Sequence, residues 1–419
     1  MLTKRSFLKT SVALAAFAAA GLPGRALAAD DELSALFMSQ AAYSEADVKA
    51  MTEDFEKANP GVKVKLEFVA YDALYDKIVA AKAAGGAGYD VVLFDVIWPA
   101  TFSENGVLLD VTNRLKDVDK ATVFDGAWAT VMYKDRYYGM PWILDTKYLF
   151  YNTEMLQKAG IAEPPKTWDE LIIQAKTIQD KGLAKYPIVW SWAQAEAVIC
   201  DYTTLVDAYK GAFFADGKPV FNQGGALDAL KYMVETQKAG VTNPHSTEYL
   251  EEDVRKVFSA GDAAFALNWT YMYNMAQKPE ESKIVGKVGI APAPGVKGLT
   301  EHSAMNGSMA LGVTTGSTKP DLAWKFVSHM TSQPVQNKYA QLSLPIWKSS
   351  YSDPAVVKGQ EAIINAANVS IGVMMPRPMF PAYPELSTLL QIAIQKALTG
   401  KATPEEALTE AAAAAARLR

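Results

Sequence analysis

The sequence predicts an α/β protein built as two lobes with a cleft between them. Three observations carry that expectation. Residues 33–95 alternate strand and helix patterns in the order that builds a parallel sheet. Residues 138–152 then break the chain at Gly139 and Pro141 and supply an apolar run, 148–151, that reads as a strand buried on both faces. That strand needs neighbours from later residues, because the earlier ones already furnish a sheet of their own. The chain of 419 residues, less an N-terminal export signal, is also long enough for two hydrophobic cores.

Residues 1–28 have the marks of that signal. Lys4, Arg5 and Lys9 stand without an acid, residues 11–22 are apolar but too few to span a bilayer, and Ala26-Leu27-Ala28 is a small-residue cleavage site. The stretch around Lys4-Arg5 resembles the twin-arginine consensus with lysine for the first arginine, so the twin-arginine and general export routes both stay open. The single cysteine, Cys200, leaves no lipid-anchor site after the signal and no internal disulfide, and a freely soluble, monomeric periplasmic protein is expected. Without the four bases of the signal the chain holds 37 basic and 46 acidic side chains, a net charge of −9. That balance argues against nucleic acid or an anionic membrane surface as partner. His245, His302, His329 and Cys200 are too scattered for metal-ligand spacing, and no cofactor or metal is expected.

In order, residues 33–38 read as a first strand, and Ser44 caps a helix with Val48, Met51 and Phe55 on one face. Val62, Val64, Leu66 and Phe68 alternate with polar residues in a strict period of two. A helix with Leu74 and Ile78 inward and a strand over 91–94, ending at Asp95, complete two crossover units. The glycine-rich turn at 85–88 follows a helix and precedes a strand, the reverse of what phosphate binding at a helix N-terminus requires. Thr167 and Glu170 form a capping box for a helix to about Asp180. Strands over 186–189 and 263–267, helices over 226–239 and 251–260, and a helix over 321–330 capped at Thr318 follow. Residues 302–311 read as a second crossing between the lobes, and 344–347 as a third. The segment 376–385 is too rich in proline for helix or strand, with a helix from Leu386 after it and a last one opened by Thr403-Pro404-Glu405-Glu406. The lobes are therefore expected to comprise 29–143 with 309–344, and 144–308 with 345–419.

Ligands of such sheets collect at the carboxyl ends of strands. Those ends carry Gln40, then Tyr71, then Asp95 with Trp98, then Trp190 and Trp192 with Glu196 behind them, then Trp269 with Tyr271. Asp145 stands at the first crossing, Asn306 at the second, and Arg377 in the proline-rich segment. Aromatic rings can stack on the apolar faces of a sugar ring while Asp, Asn, Gln and Arg meet its hydroxyls. Two plainer readings stand beside this: Asp145 as a solvated loop acid, and Trp190 with Trp192 as core packing.

The order of elements resembles the family 1 extracellular solute-binding proteins of ABC importers, the group that includes maltose-binding protein. The segments that carry the resemblance are Gly88-Tyr89-Asp90-Val91-Val92, residues 141–152, Pro165-Lys166-Thr167-Trp168-Asp169-Glu170-Leu171, Phe258-Ser259-Ala260-Gly261-Asp262-Ala263-Ala264, Ala323-Trp324-Lys325-Phe326, and 398–408. The resemblance implies the two-lobed periplasmic binding protein fold of type II, joined by two or three crossing segments. It also implies a carbohydrate ligand, delivery to the permease subunits of an importer, and no catalysis. By the same analogy Asp145 holds the acidic position after the first crossing, Trp269 and Tyr271 the aromatic position of the second lobe, and Asp95 with Trp98 the first-lobe site loop. A different solute, such as a polyamine held by acids among aromatics, and a carbohydrate-active enzyme with Asp95 and Asp145 as paired carboxylates are the rival readings.

If the signal reading holds, the exported protein begins at or near Ala29. N-terminal sequencing of exported material checks this, and retention of Arg5 would count against it.

Overall fold

A computed structural model of the chain describes residues 31–418 apart from Gly86, Ala87 and Leu342. The expected signal and its cleavage site lie outside the described residues. The main elements are, in order, β1 (Asp31–Met38), α1 (Glu45–Ala58), β2 (Val62–Val69), α2 (Tyr71–Ala83), β3 (Val91–Asp95), β4 (Met140–Ile143) and β5 (Tyr148–Asn152). There follow α3 (Trp168–Asp180), β6 (Ile188–Val189), α4 (Glu196–Ala208), α5 (Gly224–Lys238), α6 (Glu251–Ser259) and β7 (Phe265–Asn268). The chain ends with β8 (Val288–Val296), β9 (Thr300–Ser303), β10 (Met309–Val313), α7 (Pro320–Met330), α8 (Glu361–Ser370), α9 (Tyr383–Leu398) and α10 (Pro404–Ala415).

Among the described residues these strands form two five-stranded sheets, ordered β2-β1-β3-β10-β4 and β6-β7-β5-β8-β9. β1 pairs in parallel with β2 from Asp31↔Val62 to Met38↔Val69 and with β3 at Ala35↔Val91, as the two crossover units require. β10 returns antiparallel between β3 and β4. Every residue of β3 and β10 is buried, the pattern of strands covered on both faces. In the second sheet β5 is central and antiparallel to both β7 and β8, so the apolar run at 148–151 finds the later neighbours it needs.

Local signals set many boundaries. Ser44 and Asp47 close a capping box on α1, whose Val48, Met51 and Phe55 face the core. Thr167 and Glu170 do the same for α3. Pro141 lies inside β4, and β4 is an edge strand, where a missing ladder donor is tolerated. Gly139 precedes it because a Cβ there would stand 2.5 Å from the Leu311 carbonyl oxygen and 2.9 Å from the Phe94 ring.

Four sequence expectations change. The helix expected from Asp321 begins at Pro320 with Lys319 at its cap position, not with a Thr318 cap. The helix expected from Leu386 begins at Tyr383, because Pro384 falls in its first turn, where a proline costs no hydrogen bond. The strand expected over 186–189 is only Ile188–Val189. Residues 344–347 do not cross. Ile346 accepts from the Phe124 N–H, Trp347 bridges Val123, and Tyr351 packs on the Phe124 ring, so this stretch stays with the first sheet. The chain passes over further on, before α8, which packs against β8.

Trp168, fully buried at the start of α3, hangs on the cap that precedes it. Replacing Thr167 with Ala should lower the unfolding free energy by about 0.5–2 kcal/mol, read from urea denaturation.

Candidate functional site

Residues 144–147 link β4 to β5, and residues 304–308 link β9 to β10. β1, β2, β3 and β4 end, and β10 begins, at one edge of the first sheet, while β5 begins and β7 ends at one edge of the second. The links hold these two edges against each other. A cavity of about 330 Å³ lies between them, within the usual range for small-molecule sites.

Six of the ten expected site residues line this cavity: Gln40, Asp95, Asp145, Trp269, Tyr271 and Arg377. Asp95, at the end of β3, accepts from the Tyr71 hydroxyl (3.1 Å), the Ile97 N–H (3.2 Å) and Arg377 Nη2 (2.8 Å). The second terminal nitrogen of Arg377, Nη1, donates to Glu196 Oε1 at 2.7 Å, at the start of α4. Arg377 therefore ties the end of β3 to the start of α4. Burial works against its charge, but Asp95, Glu196 and the other groups around it outweigh that and hold it firmly protonated. Asp145 is 3% exposed; its Oδ1 accepts from Thr146 N–H (2.9 Å), and its Oδ2 from the Thr270 hydroxyl (2.8 Å) and N–H (3.3 Å). Tyr271 donates its hydroxyl to Glu252 at 3.2 Å.

The other four do not line it. Trp190 and Trp192 have no exposed surface; their rings stack on each other at 4.9 Å and 11°, with Trp168 beside them, and Trp190 Nε1 donates to Thr242. They are core, because mutual stacking removes more apolar surface from water than a cleft wall would. Trp98 packs behind Tyr71 at 5.6 Å, so Tyr71 is the ring that reaches the cavity while Trp98 supports it and borders an adjoining hollow of about 250 Å³. Asn306 spends its amide on the link itself, accepting from Ser308 N–H and donating to the Gly126 carbonyl.

Tyr71 and Glu196, noted near strand ends but not singled out as site residues, also stand on the cavity wall, and Glu251, Glu252 and Cys200 there were not expected. Tyr71 and Glu196 each open a helix just after a strand end, the same signal that found Asp95. Glu251 and Glu252 look like ordinary first-turn helix acids in sequence. Lys147, also unremarked, has no exposed surface and pairs with Asp201 at 3.2 Å and Glu251 at 3.3 Å. Burial opposes its charge, and those two carboxylates hold it protonated. Among the described residues no cluster of His, Cys, Asp or Glu has metal-holding geometry, and no helix is long and apolar enough to cross a membrane.

Burial pushes Asp145 up from 3.8 to about 7, against its hydrogen bonds from Thr270 and Thr146 and the Lys147 charge. A carboxyl raised in the folded state binds its proton there in preference to the unfolded chain. Its contribution to stability is complete below about pH 4 and is lost as pH rises through about 7. Asp145→Asn should therefore remove part of the decline in stability between those limits, read from denaturant midpoints across pH; an unchanged profile would contradict it.

The model of the family described as bacterial extracellular solute-binding protein matches residues 40–337 of this chain. The chain is 30% identical to the "Probable ABC transporter-binding protein" of Deinococcus radiodurans over 369 residues, 85% of this chain and 86% of that protein. Maltose-bound MalE3 of T. maritima is similar in structure with a TM-score of 0.85 and 30% identity, over 91% of this chain and 98% of its own. A solute-binding protein of an ABC transporter from Thermotoga lettingae, bound with α-D-tagatose, is similar with a TM-score of 0.83 and 28% identity, over 92% of this chain and 99% of its own. With two sheets edge to edge, a cavity between them and links joining them, the chain has the two-lobed periplasmic binding protein fold and belongs to the bacterial extracellular solute-binding proteins.

Proposed function

We propose that this protein is the substrate-binding component of an ABC importer, holding a neutral, hydroxyl-rich carbohydrate between its lobes and presenting it to the membrane permease. The sugar, oligosaccharide or polyol is bound and released without chemistry. The protein works as a periplasmic monomer, with lobes of 29–143 plus 309 to about 357 and of 144–308 plus the rest.

The observation that carries this reading is the character of the cavity wall. Tyr71 from one lobe and Trp269 from the other are partly exposed rings, suited to the faces of a sugar. Around them stand Asp72, Asp95, Asp145, Glu196, Glu251 and Glu252, against Arg377, the one cation of the wall among the described residues. Such a wall is rich in acceptors and asks for a ligand that donates. An acidic sugar would meet an excess of acids and an arginine already engaged by two of them. The two similar structures named above hold maltose and tagatose, in line with a neutral ligand.

The same excess of carboxylates favours a second reading, an amine such as a polyamine, held by charge and by cation–π contact with Trp269. Salt separates the two: affinity for an amine falls with ionic strength, and affinity for a neutral sugar does not.

A thermal-shift screen of the mature protein against sugars, polyols and amines should find a ligand. At a hundredfold excess over its dissociation constant it should add about 2.7 kcal/mol to stability. Asp145→Ala should then weaken binding by about 1.5–3 kcal/mol, roughly 10- to 150-fold, in calorimetry. Ligand that touches both lobes favours their approach, so small-angle scattering should show a smaller radius of gyration when it is bound. Stabilisation by amines alone would overturn the carbohydrate reading.

A further inference from the structure

Trp269 reaches the cavity from the end of β7, and its ring is seated by groups from both links. The ammonium of Lys147, on the first link, stands 4.5 Å from the ring centroid, a cation–π distance. Glu251, one of the two carboxylates that pair with Lys147, accepts the indole N–H at 3.3 Å. Asn268 ties the same parts together by accepting the Trp269 N–H (2.9 Å) and donating to the Glu251 carbonyl (2.9 Å). On the second link, a Cβ added to Gly307 would stand 2.2 and 2.3 Å from ring carbons Cζ3 and Cη2. No larger residue fits there unless the ring moves.

A fully desolvated lysine is costly, and pairing it with two carboxylates only offsets that cost. The ion pairs by themselves do not require the ammonium to lie over an indole that walls a binding cavity. Lys147 itself does not line the cavity; it touches the ring that does.

We propose that Lys147 and Gly307 are positioning residues for Trp269, clamping its ring between the two links so that its free surface meets the ligand in one orientation. Lys147 thereby shapes ligand specificity without touching the ligand. This rests on the reading of Trp269 as a wall for carbohydrate. The two links are themselves joined by the Gly307 N–H to Asp145 carbonyl bond of 3.1 Å, so the seat holds the ring as one piece of the second lobe.

The full mature chain labelled with 5-fluorotryptophan tests the seat without any ligand. The Trp269 fluorine resonance is identified by its loss in Trp269→Phe. It should move in Lys147→Met and in Gly307→Ala while the resonance of Trp168 stays. Gly307→Ala keeps every charge, so it tests the clamp even where Lys147→Met fails to fold. In calorimetry with maltose, D-tagatose and D-mannitol, the sugar that wild type binds best should bind roughly tenfold more weakly to each variant, with the ranking of the three altered. In a Trp269→Ala background neither substitution should weaken binding further. An unmoved Trp269 resonance in Gly307→Ala, or an undiminished effect of Lys147→Met without the ring, would overturn the proposal. Wild-type affinity in Trp269→Ala with the resonance still moving in Gly307→Ala would remove the carbohydrate wall and the specificity role, leaving a seat that only packs.

Discussion

Asp145 sits in the first link with almost no contact with water, so its carboxyl group relies on donors that the protein places around it. Thr146 supplies one donor and Thr270, just beyond β7, supplies two. Its main-chain oxygen accepts the N–H of Gly307, on the second link, at 3.1 Å. Thr146 adds a further tie, its hydroxyl accepting from the Met305 N–H at 3.0 Å. One short stretch thus gathers the two links and the end of a second-lobe strand. The edges of both sheets, and the cavity between them, take their relative position from this knot.

Away from the knot the lobes meet through charge. Arg377 bridges Asp95 and Glu196, and the Thr101 hydroxyl donates across to the Pro381 carbonyl at 2.8 Å. Inside the cleft these bonds form without competition from water, yet the groups had to be desolvated to make them. Acids that would repel one another in an empty cavity are kept apart by being paired: Glu252 with Arg255, Glu251 with Lys147, and Asp95 and Glu196 with Arg377.

Much of the fold was legible from local chemistry. The period-two alternation of β2, the capping boxes at Ser44, Thr167 and Thr403, and the apolar run of β5 each depend on residues close in sequence. Residues 344–347 misled because an apolar, proline-containing stretch looks the same whether it crosses between lobes or lies along one. Its placement was decided by Phe124 and Gln336, which hydrogen-bond Ile346. The site divides in the same way. Strand ends located Asp95 and Trp269, but not which neighbouring aromatic would face inward.

The sequence by itself determined the alternation of strands and helices, the two breaks where the chain changes sheet, and the presence of acids and rings at strand ends. Periodicity, caps and proline geometry act within a few residues and can be read in order. Only the tertiary structure decided that Trp190 and Trp192 are core, that Tyr71 stands in front of Trp98, and that Lys147 lies over Trp269 between Asp201 and Glu251. Burial and pairing are properties of the residues that surround a side chain in space. For Lys147 those residues are 54, 104 and 122 positions away, beyond the reach of any local pattern.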